Sequence, residues 1–287
     1  MSESPVSLAP LGPPLVSARS AQIYPWAAGQ VLKLFYEHIA PSSARWERIN
    51  AEQAHAQGAT RIECQGEVEL DGRYGIILSR IEGTTLTASG ERNPLTILRM
   101  GQLLAQQHWQ VHQARSEQLQ SIKSLLNQHL AGSALAFLTG AEQAKMAAYV
   151  QRLPEDNRLL HLDFHTDNIL LDRHGATVID WATAATGDIG ADIAMSYFLF
   201  NEAELFPGIN KAQELLYGSL RSFIYRSYRK HYLRLMGMSQ EQLAAHIQRW
   251  YLPMLIYRLA LWQAPTEVAR LQQQIRDGIA RLPEVAG

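Results

Sequence analysis

Residues 159–192 read LLHLDFHTDNILLDRHGATVIDWATAATGDIGAD, and this stretch decides the fold. Two short apolar segments, separated by a turn that ends at Gly175, predict a β-hairpin because glycine readily adopts positive φ. A hairpin brings its two ends together. We therefore expect Asp163, Asn168 and Asp180 to present three side-chain oxygens at one place. Carboxylate and amide oxygens suit a hard cation such as Mg²⁺.

The spacing of the polar residues is specific. His161 and Asp163 are followed by four residues and then by Asn168, and Asp180 comes after the hairpin. A His-x-Asp pair, four residues, an Asn and a later metal-binding Asp form the pattern of a protein-kinase catalytic loop. A single Asp of this kind most often caps a turn. The whole spaced set instead favours phosphoryl transfer.

The residues around this loop resemble one branch of the kinase fold. They resemble the aminoglycoside phosphotransferase and choline-kinase-like family of small-molecule kinases. The resemblance lies in three successive motifs, H-x-D-F-H-x-x-N-I-L, I-D-W and G-D-x-x-x-D-I-A. The resemblance implies that Asp163 is the catalytic base and that Asn168 and Asp180 hold Mg²⁺. It also implies that Asp192 braces the loop from a helix start. His161 is expected to support the loop, and His165 to lie nearer the phosphates.

The same resemblance implies an α+β, bilobed protein-kinase-like fold, with a small β-rich N-lobe and a larger, mainly helical C-lobe. The implied reaction transfers the γ-phosphate of ATP to a hydroxyl of a small molecule, with ATP and Mg²⁺ bound between the lobes. Such chemistry needs positioning and charge neutralisation more than covalent catalysis. A carboxylate beside the acceptor hydroxyl orients it and accepts its proton.

Lys33 lies in the second of two alternating segments that predict a hairpin, at residues 21–26 and 30–36. An exposed strand lysine is the simpler interpretation. Before a kinase-like loop, V-L-K-L-F instead resembles the strand lysine that contacts the nucleotide phosphates. A helix is predicted from Pro41 to Gly58, and it offers Glu47 or Glu52 as the ion-pair partner of Lys33. Glu47 is preferred because the family pattern places its glutamate about three turns before the closing glycine.

The glycine-rich phosphate loop of protein kinases is missing. Residues 17–21, Ser-Ala-Arg-Ser-Ala, stand in its place, and the hydroxyl of Ser17 or Ser20 and nearby backbone N–H groups are the expected phosphate contacts. Residues 81–86 are the hinge implied by the resemblance. Its backbone around Arg80 and Ile81 is expected to bind an adenine.

The chain divides into four predicted parts: an extended or disordered proline-rich arm at 1–16, an N-terminal nucleotide-binding lobe at 17–80, the hinge at 81–86, and a catalytic and substrate lobe at 87–287. Helices are predicted through most of the last part, and Pro253 is expected to kink or break one of them. His108 and His112 lie one helical turn apart. They lack the H-E-x-x-H pattern of a zinc site, so a packing or capping role is favoured.

Composition limits the functions that remain. The 287 residues have a net charge of −1, so bulk charge indicates neither a nucleic-acid nor a membrane partner. The single cysteine, Cys64, excludes an internal disulfide and a cysteine-based metal cluster. With no transmembrane-length apolar run and no signal-peptide pattern, a cytoplasmic protein is expected. The sequence leaves the oligomeric state open.

Two other functions compete with the kinase interpretation. His161, Asp163 and His165 alternate, so on an extended segment they would share one face and could form the metal site of a hydrolase. That hypothesis leaves Asn168 and Asp180 without roles. A catalytically weak, nucleotide-binding regulatory protein is the other alternative, and turnover of ATP would distinguish it from a kinase.

The acceptor is the least defined part of the prediction. Aminoglycosides are polycations, and the enzymes that bind them need clefts lined with carboxylates. From Glu202 to Arg258, where the resemblance places the acceptor site, there are eight Lys and Arg residues and four Glu residues, a net of +4. We therefore predict a neutral, singly charged or anionic hydroxyl compound as acceptor, although Glu202 and Glu204 could supply local carboxylates.

Overall fold

The computed structural model describes residues 11–204 and 210–283. Its elements follow one another along the chain as β1 Val16–Ser17, β2 Ala21–Pro25, β3 Gln30–Phe35, α1 Pro41–Ala56, β4 Cys64–Leu70, β5 Arg73–Ser79, β6 Thr84–Thr85, α2 Leu86–Arg92, α3 Pro94–Gln113, α4 Ile122–Leu130, α5 Gly140–Gln151, β7 Arg158–Leu160, β8 Ile169–Asp172, β9 Gly175–Val178, β10 Ala185–Gly187, α6 Gly190–Asn201, α7 Lys211–Met236, α8 Gln240–Trp262 and α9 Pro265–Ala280.

The N-terminal part is an antiparallel sheet with strand order β1-β2-β3-β5-β4, and α1 packs against it. Because side chains alternate along a strand, β3 has two different faces. Leu32 and Leu34 pack with Tyr24 on one face, whereas Phe35 packs toward Ala44 of α1 on the other. Lys33 lies on the α1 side, which directs its ammonium group toward the helix.

The C-terminal part is mainly helical and contains the largest hydrophobic cluster, in which Trp181, Phe164, Phe198 and Trp250 are fully or almost fully buried. Two small sheets carry the decisive stretch into it. β7 pairs with β10, and β8 pairs with β9 in the predicted hairpin, which closes at Gly175 with φ +115°. The predicted bilobed α+β architecture is confirmed.

Several hydrogen bonds join the two parts. The side-chain amide of Asn50 in α1 donates to the carbonyls of Trp181 (2.9 Å) and Ala184 (3.3 Å). The Thr60 hydroxyl donates to the Val178 carbonyl (2.6 Å). The Arg19 guanidinium donates to the backbone carbonyl of Trp262 at the end of α8. The segment after β9 and the end of α8 are thus fixed directly against the N-terminal part.

Two details differ from the sequence predictions. Pro253 lies inside α8, which remains one helix. Proline has no N–H to donate to the Arg249 carbonyl one turn earlier, and the Tyr149 hydroxyl donates to that carbonyl instead (2.8 Å). The short helix α2 was not predicted. The part boundaries stay predictions. Residues 1–10 of the predicted arm lie outside the described residues, and Val16 at its end begins β1.

Candidate active site

Lys33 lies between two carboxylates. Its Nζ donates to Glu47 of α1 and to Oδ1 of Asp180 (3.0 Å). Burial disfavours the charged amine, but Asp180 and Glu47 outweigh burial and raise the pKa of Lys33 above its ordinary value. Glu52, the other candidate partner, forms an ion pair with Arg48 on the helix surface. The structure therefore brings the buried Lys33 and Glu47 together with the partly exposed Asp180.

The hairpin joins the two polar clusters of the decisive stretch. The Ile179 N–H donates to the Asn168 carbonyl (2.9 Å), which places Asn168 and Asp180 at the same open end. Asn168 donates its side-chain amide to the carbonyl (2.9 Å) and to Oδ2 (3.1 Å) of Asp163. Asp180 has φ +62°, in the left-handed region, so its backbone turns sharply as it leaves β9.

These residues fit a magnesium ion. The Asn168 amide uses its N–H groups on Asp163, and among the described residues nothing donates to its Oδ1. Asp180 binds Lys33 through one oxygen, and its side chain is 38% exposed, so a second oxygen is accessible. Lys33 lowers the pKa of Asp180 although burial opposes this, which keeps the carboxylate ionised. One amide oxygen and one carboxylate oxygen are ligands that Mg²⁺ accepts alongside phosphate and water.

His161 supports the loop from within. Its Nε2–H donates to the Ile179 carbonyl (3.0 Å), and its Nδ1 accepts from the Asp163 N–H (3.3 Å). Burial lowers the pKa of His161, which favours this neutral form. With both ring nitrogens bonded to backbone, His161 does not present a ligand atom for a shared metal with Asp163 and His165. This geometry argues against the hydrolase hypothesis.

His165 lies between Asp163 and Asp167. Its Nε2 is 3.5 Å from Oδ2 of Asp163, and its Nδ1 is 3.7 Å from Oδ2 of Asp167. Burial disfavours the imidazolium, but the two carboxylates outweigh it and raise the pKa of His165 to about 10. His165 therefore stands beside Asp163, and its Nδ1 also accepts from the Asp167 N–H (3.3 Å).

Asp192 holds the loop from the first turn of α6. Its two oxygens accept from the N–H groups of His161 (2.6 Å) and Leu162 (2.9 Å). The Nε2 atoms of His108 and His112 lie 3.1 and 3.2 Å from its Oδ2. Burial alone would raise the pKa of Asp192, but the two histidines outweigh it and hold it well below its ordinary range. This network fixes the backbone just before Asp163, where Leu162 has φ +62°.

The remaining predicted residues lie further away. The Arg80 N–H donates to the Gly29 carbonyl (2.8 Å). If Arg80 binds adenine as predicted, it must therefore do so through its backbone carbonyl. The Ile81 carbonyl accepts from the Gly83 N–H (2.9 Å), and among the described residues its own N–H has no acceptor. Ser20 lies in the turn between β1 and β2 and lines the same cavity as Glu47 and Asp180.

A family comparison agrees with this geometry. The model of the phosphotransferase enzyme family (APH) matches residues 26–231, which include every one of these polar groups except Ser20. The chain belongs to the phosphotransferase enzyme family. The resemblance seen in the sequence is thereby confirmed. A search of curated proteins found none that matches the sequence.

Solved structures show the same fold at low identity. A thermostable mutant of aminoglycoside phosphotransferase APH(4)-Ia, in ternary complex with AMP-PNP and hygromycin B, is 14% identical with a TM-score of 0.60 and coverage of 93% of this chain and 92% of that one. The streptomycin–ATP–APH(2")-IIa complex is 13% identical, with a TM-score of 0.54 and coverage of 93% and 92%. APH(3'')-Id from Streptomyces rimosus is 19% identical, with a TM-score of 0.51 and coverage of 82% and 91%.

Two cavities flank Asp163 in this phosphotransferase. The interlobe cavity, of about 560 Å³, is lined by Arg19, Ser20, Glu47, Asp163, Asp180 and Trp262, among others. The apolar cavity, of about 490 Å³, is lined by the loop that carries Asp163 and by residues of α2, α3, α6, α7 and α8. Neither is lined by Arg80 or Ile81. Asp163 is thus accessible from two sides, and both cavities combine charged side chains with apolar ones.

Sequence reasoning missed several residues of the site. Asn50, Arg19 and Trp262 carry no motif, and their contacts join segments more than 100 residues apart. The pair His108 and His112 did carry a signal. Their spacing of one turn puts both rings on one face of α3, where the Nε2 atoms of both lie close to a single buried carboxylate.

Proposed function

We propose that this chain transfers the γ-phosphate of ATP to a hydroxyl group of a small molecule. The observation that carries the proposal is the Lys33–Asp180 contact of 3.0 Å, beside an Asn168 that is anchored on Asp163. This arrangement brings together Lys33 as a cation for the phosphates, Asn168 and Asp180 as oxygen ligands for Mg²⁺, and the Asp163 carboxylate for the acceptor hydroxyl. The family match supports phosphoryl transfer, and ATP, Mg²⁺ and the hydroxyl acceptor are our proposal.

Each group has a role in the proposed reaction. Lys33, held by Glu47, binds the phosphates, and Ser20 and the Ile81 N–H contact phosphate and adenine. Asn168 and Asp180 hold Mg²⁺, which when bound neutralises phosphate charge. Asp163 accepts the acceptor's proton while the acceptor oxygen bonds to the γ-phosphorus. The bond from that phosphorus to the β–γ bridging oxygen breaks, and ADP leaves with its electron pair.

An ATP-consumption screen tests the proposal. The purified chain is given Mg²⁺, ATP and panels of hydroxy acids, amino alcohols, sugars, nucleosides and aminoglycosides, and phosphorylated product is identified by mass spectrometry. We expect ADP to form together with a phosphoester of at least one acceptor. ATP binding with no phosphorylated product from any panel would instead favour a regulatory nucleotide-binding protein.

Asp163→Asn tests the assignment of the base. Losing the proton acceptor should lower kcat by roughly 10²–10⁴-fold. The ATP dissociation constant should stay within a few fold, because Asp163 faces the acceptor. Steady-state kinetics and calorimetry measure the two quantities, and thermal unfolding checks that the variant is folded. A variant with near-wild-type kcat would contradict the assignment.

A further inference from the structure

The walls of the apolar cavity show what kind of molecule fits beside Asp163. Its hydrocarbon surface comes from three helices that meet over the catalytic loop, through Ile97, Met100, Leu199, Phe200, Leu220 and Ile224. A cavity of about 490 Å³ is in the range of small-molecule sites. Burying hydrocarbon there is favourable by about 25 cal/mol per Å². A purely polar acceptor would leave these walls without a partner.

Two arginines line the same cavity, and their surroundings differ. Arg258 is neutralised, because its Nε is 3.0 Å from Oε2 of buried Glu267 and its guanidinium stacks over Trp262 at 4.7 Å. Arg221 is half-buried and donates one N–H to the Ala203 carbonyl (2.6 Å). Among the side chains that the structure describes, no carboxylate lies at ion-pair distance from it. Burial accordingly lowers the pKa of Arg221 from its ordinary value.

Four carboxylates line the cavity, those of Glu91, Asp163, Asp167 and Glu204. Asp167 is paired with His165, and Glu204 accepts from the Thr266 hydroxyl. Glu91 is exposed on α2, at the solvent side of the lining. Only two of the eight basic residues counted between Glu202 and Arg258 line the cavity. Four carboxylates and two arginines therefore line the cavity, and Arg221 is the arginine with no carboxylate at ion-pair distance among the side chains that the structure describes.

We propose that the acceptor is an amphipathic hydroxy acid. Its hydrocarbon body lies in the apolar cavity, its anionic group pairs with Arg221, and its hydroxyl reaches Asp163. An anion would supply the counter-charge that Arg221 lacks, and the pair would form a charge-assisted hydrogen bond in low-dielectric surroundings. This inference rests on the proposed function and narrows it to one class of substrate.

Four probes separate the features of this acceptor. ω-Hydroxydecanoate has the body, the hydroxyl and the anion. Decanediol lacks the anion, ω-aminodecanol replaces it with a cation, and gluconate keeps anion and hydroxyls without a hydrocarbon body. Calorimetry with Mg²⁺ and AMP-PNP present measures each affinity without turnover. We expect ω-hydroxydecanoate to bind roughly 10-fold more tightly than decanediol, the effect of one charge-assisted hydrogen bond, and the other two to bind more weakly still.

Variants of Arg221 identify the source of the preference. Arg221→Gln should abolish the preference for the acid over the diol, and Arg221→Lys, which keeps the charge, should retain most of it. Arg226→Gln is the matched control, since Arg226 is exposed on the same helix and does not line the cavity. Unchanged preference in Arg221→Gln would contradict the role of this residue.

The inference and the proposed function fail in different ways. Tightest binding of ω-aminodecanol, equal binding of gluconate and ω-hydroxydecanoate, or no binding of any probe would each overturn the inference. Phosphorylation of some other hydroxyl compound in the ATP-consumption screen would in each case leave the kinase assignment intact. If ω-hydroxydecanoate binds most tightly but is not phosphorylated, the cavity binds an amphipathic anion that is not an acceptor. That result would overturn the acceptor proposal.

Discussion

Among single residues, Lys33 depends most on what surrounds it. Its ammonium group is buried and bonded to carboxylates from two parts of the fold, Glu47 on α1 and Asp180 after β9. A buried charge of this kind is stable only while its partners remain, because removing one leaves an uncompensated charge in a region of low dielectric. The position of Lys33, and with it the proposed phosphate contact, is therefore determined by both partners.

Variants of this group give an ordered prediction. Lys33→Met should raise KM for ATP and lower kcat, and Glu47→Gln should do the same more mildly because the lysine stays but loses one anchor. Glu52→Gln is the matched control on the same helix, since its partner is Arg48. Steady-state kinetics at varied ATP check the order. A larger effect at Glu52 than at Glu47 would contradict the assignment of the pair.

His112 makes stability depend on pH. Burial and the neighbouring His108 lower the pKa of His112 to about 4, although Asp192 opposes this. In the unfolded chain the pKa returns to about 6.5. Between these values the unfolded state binds the proton and the folded state does not, so stability falls as pH decreases from 6.5 toward 4.

The pH dependence can be measured by urea unfolding. Within this window His112 should remove about 1.4 kcal/mol of unfolding free energy per pH unit. His112→Gln should be less stable than wild type at pH 7, because it loses the contact with Asp192, yet its stability should fall less steeply toward pH 5. Parallel curves for the two proteins would show that His112 is not the titrating group.

The sequence predicted the proximity of residues that lie close to one another along the chain. Asp163, Asn168 and Asp180 lie on one hairpin, so their order along the chain determines their proximity. His112 and Asn50 could not be assigned in this way. Their partners lie 80 and 131 residues away, and only tertiary packing determines which carboxylate or carbonyl they meet.

At the scale of elements, the contact between α3 and α7 is unusually close. A Cβ atom at Gly101 of α3 would lie 2.5 Å from the backbone nitrogen of Tyr228 and 2.5 Å from Cβ of Ser227, both in α7. The two helices therefore approach at a distance that only glycine permits. Nothing in the sequence near Gly101 marks this contact, because it depends on the register between two distant helices.

Replacing this glycine should force the helices apart. Gly101→Ala should lower the free energy of unfolding by about 1–3 kcal/mol, the usual effect of overpacking. Gly218→Ala in α7 is the control, since no atom lies within 4 Å of its Cβ position. That change should raise stability by up to about 1 kcal/mol, because alanine is the better helix former. Urea unfolding compares the two, and equal effects would contradict the close contact.

Element types were largely predictable, and their ends and irregularities less so. Pro253 was expected to kink or break its helix, and α8 is not broken there. In the folded chain, Tyr149 of α5 satisfies the carbonyl that proline leaves without a donor. A helix interrupted in isolation can thus continue when another element supplies the missing hydrogen bond.

For the whole molecule, the proposed nucleotide site takes residues from both parts of the fold. Lys33 and Glu47 come from the sheet and α1, and Asn168 and Asp180 from the hairpin. A ligand that contacts both should stabilise them together. Among the described residues no helix has the length and apolar character to cross a membrane.

Nucleotide binding should therefore raise the unfolding temperature. At a hundredfold excess over its dissociation constant, Mg²⁺–ATP should add about 2.7 kcal/mol, or roughly 5 °C for a chain of this size. Asp180→Ala should abolish the Mg²⁺-dependent part of the shift, and Asn168→Ala should reduce it less, because only the first loses a charge. Equal shifts in both variants and wild type would exclude these residues as the metal site.

Helix α7 combines two tasks along its length. Leu220 and Ile224 line the apolar cavity. One and two turns later, the hydroxyls of Tyr228 and Tyr232 contact Nδ1 of His108 (2.7 Å) and of His112 (2.6 Å), the histidines that face Asp192. The same helix thus shapes the cavity and supports the loop that carries Asp163.

This arrangement constrains how the protein can diverge. A tilt, rotation or one-residue insertion in α7 that reshaped the pocket would also withdraw the tyrosines from the loop support. A change in acceptor specificity should therefore arise through substitutions at positions such as Leu220 and Ile224. The position, orientation and length of α7 should stay the same. Selection for altered substrate use in a library of α7 would then recover point substitutions and no insertions or deletions upstream of Tyr228.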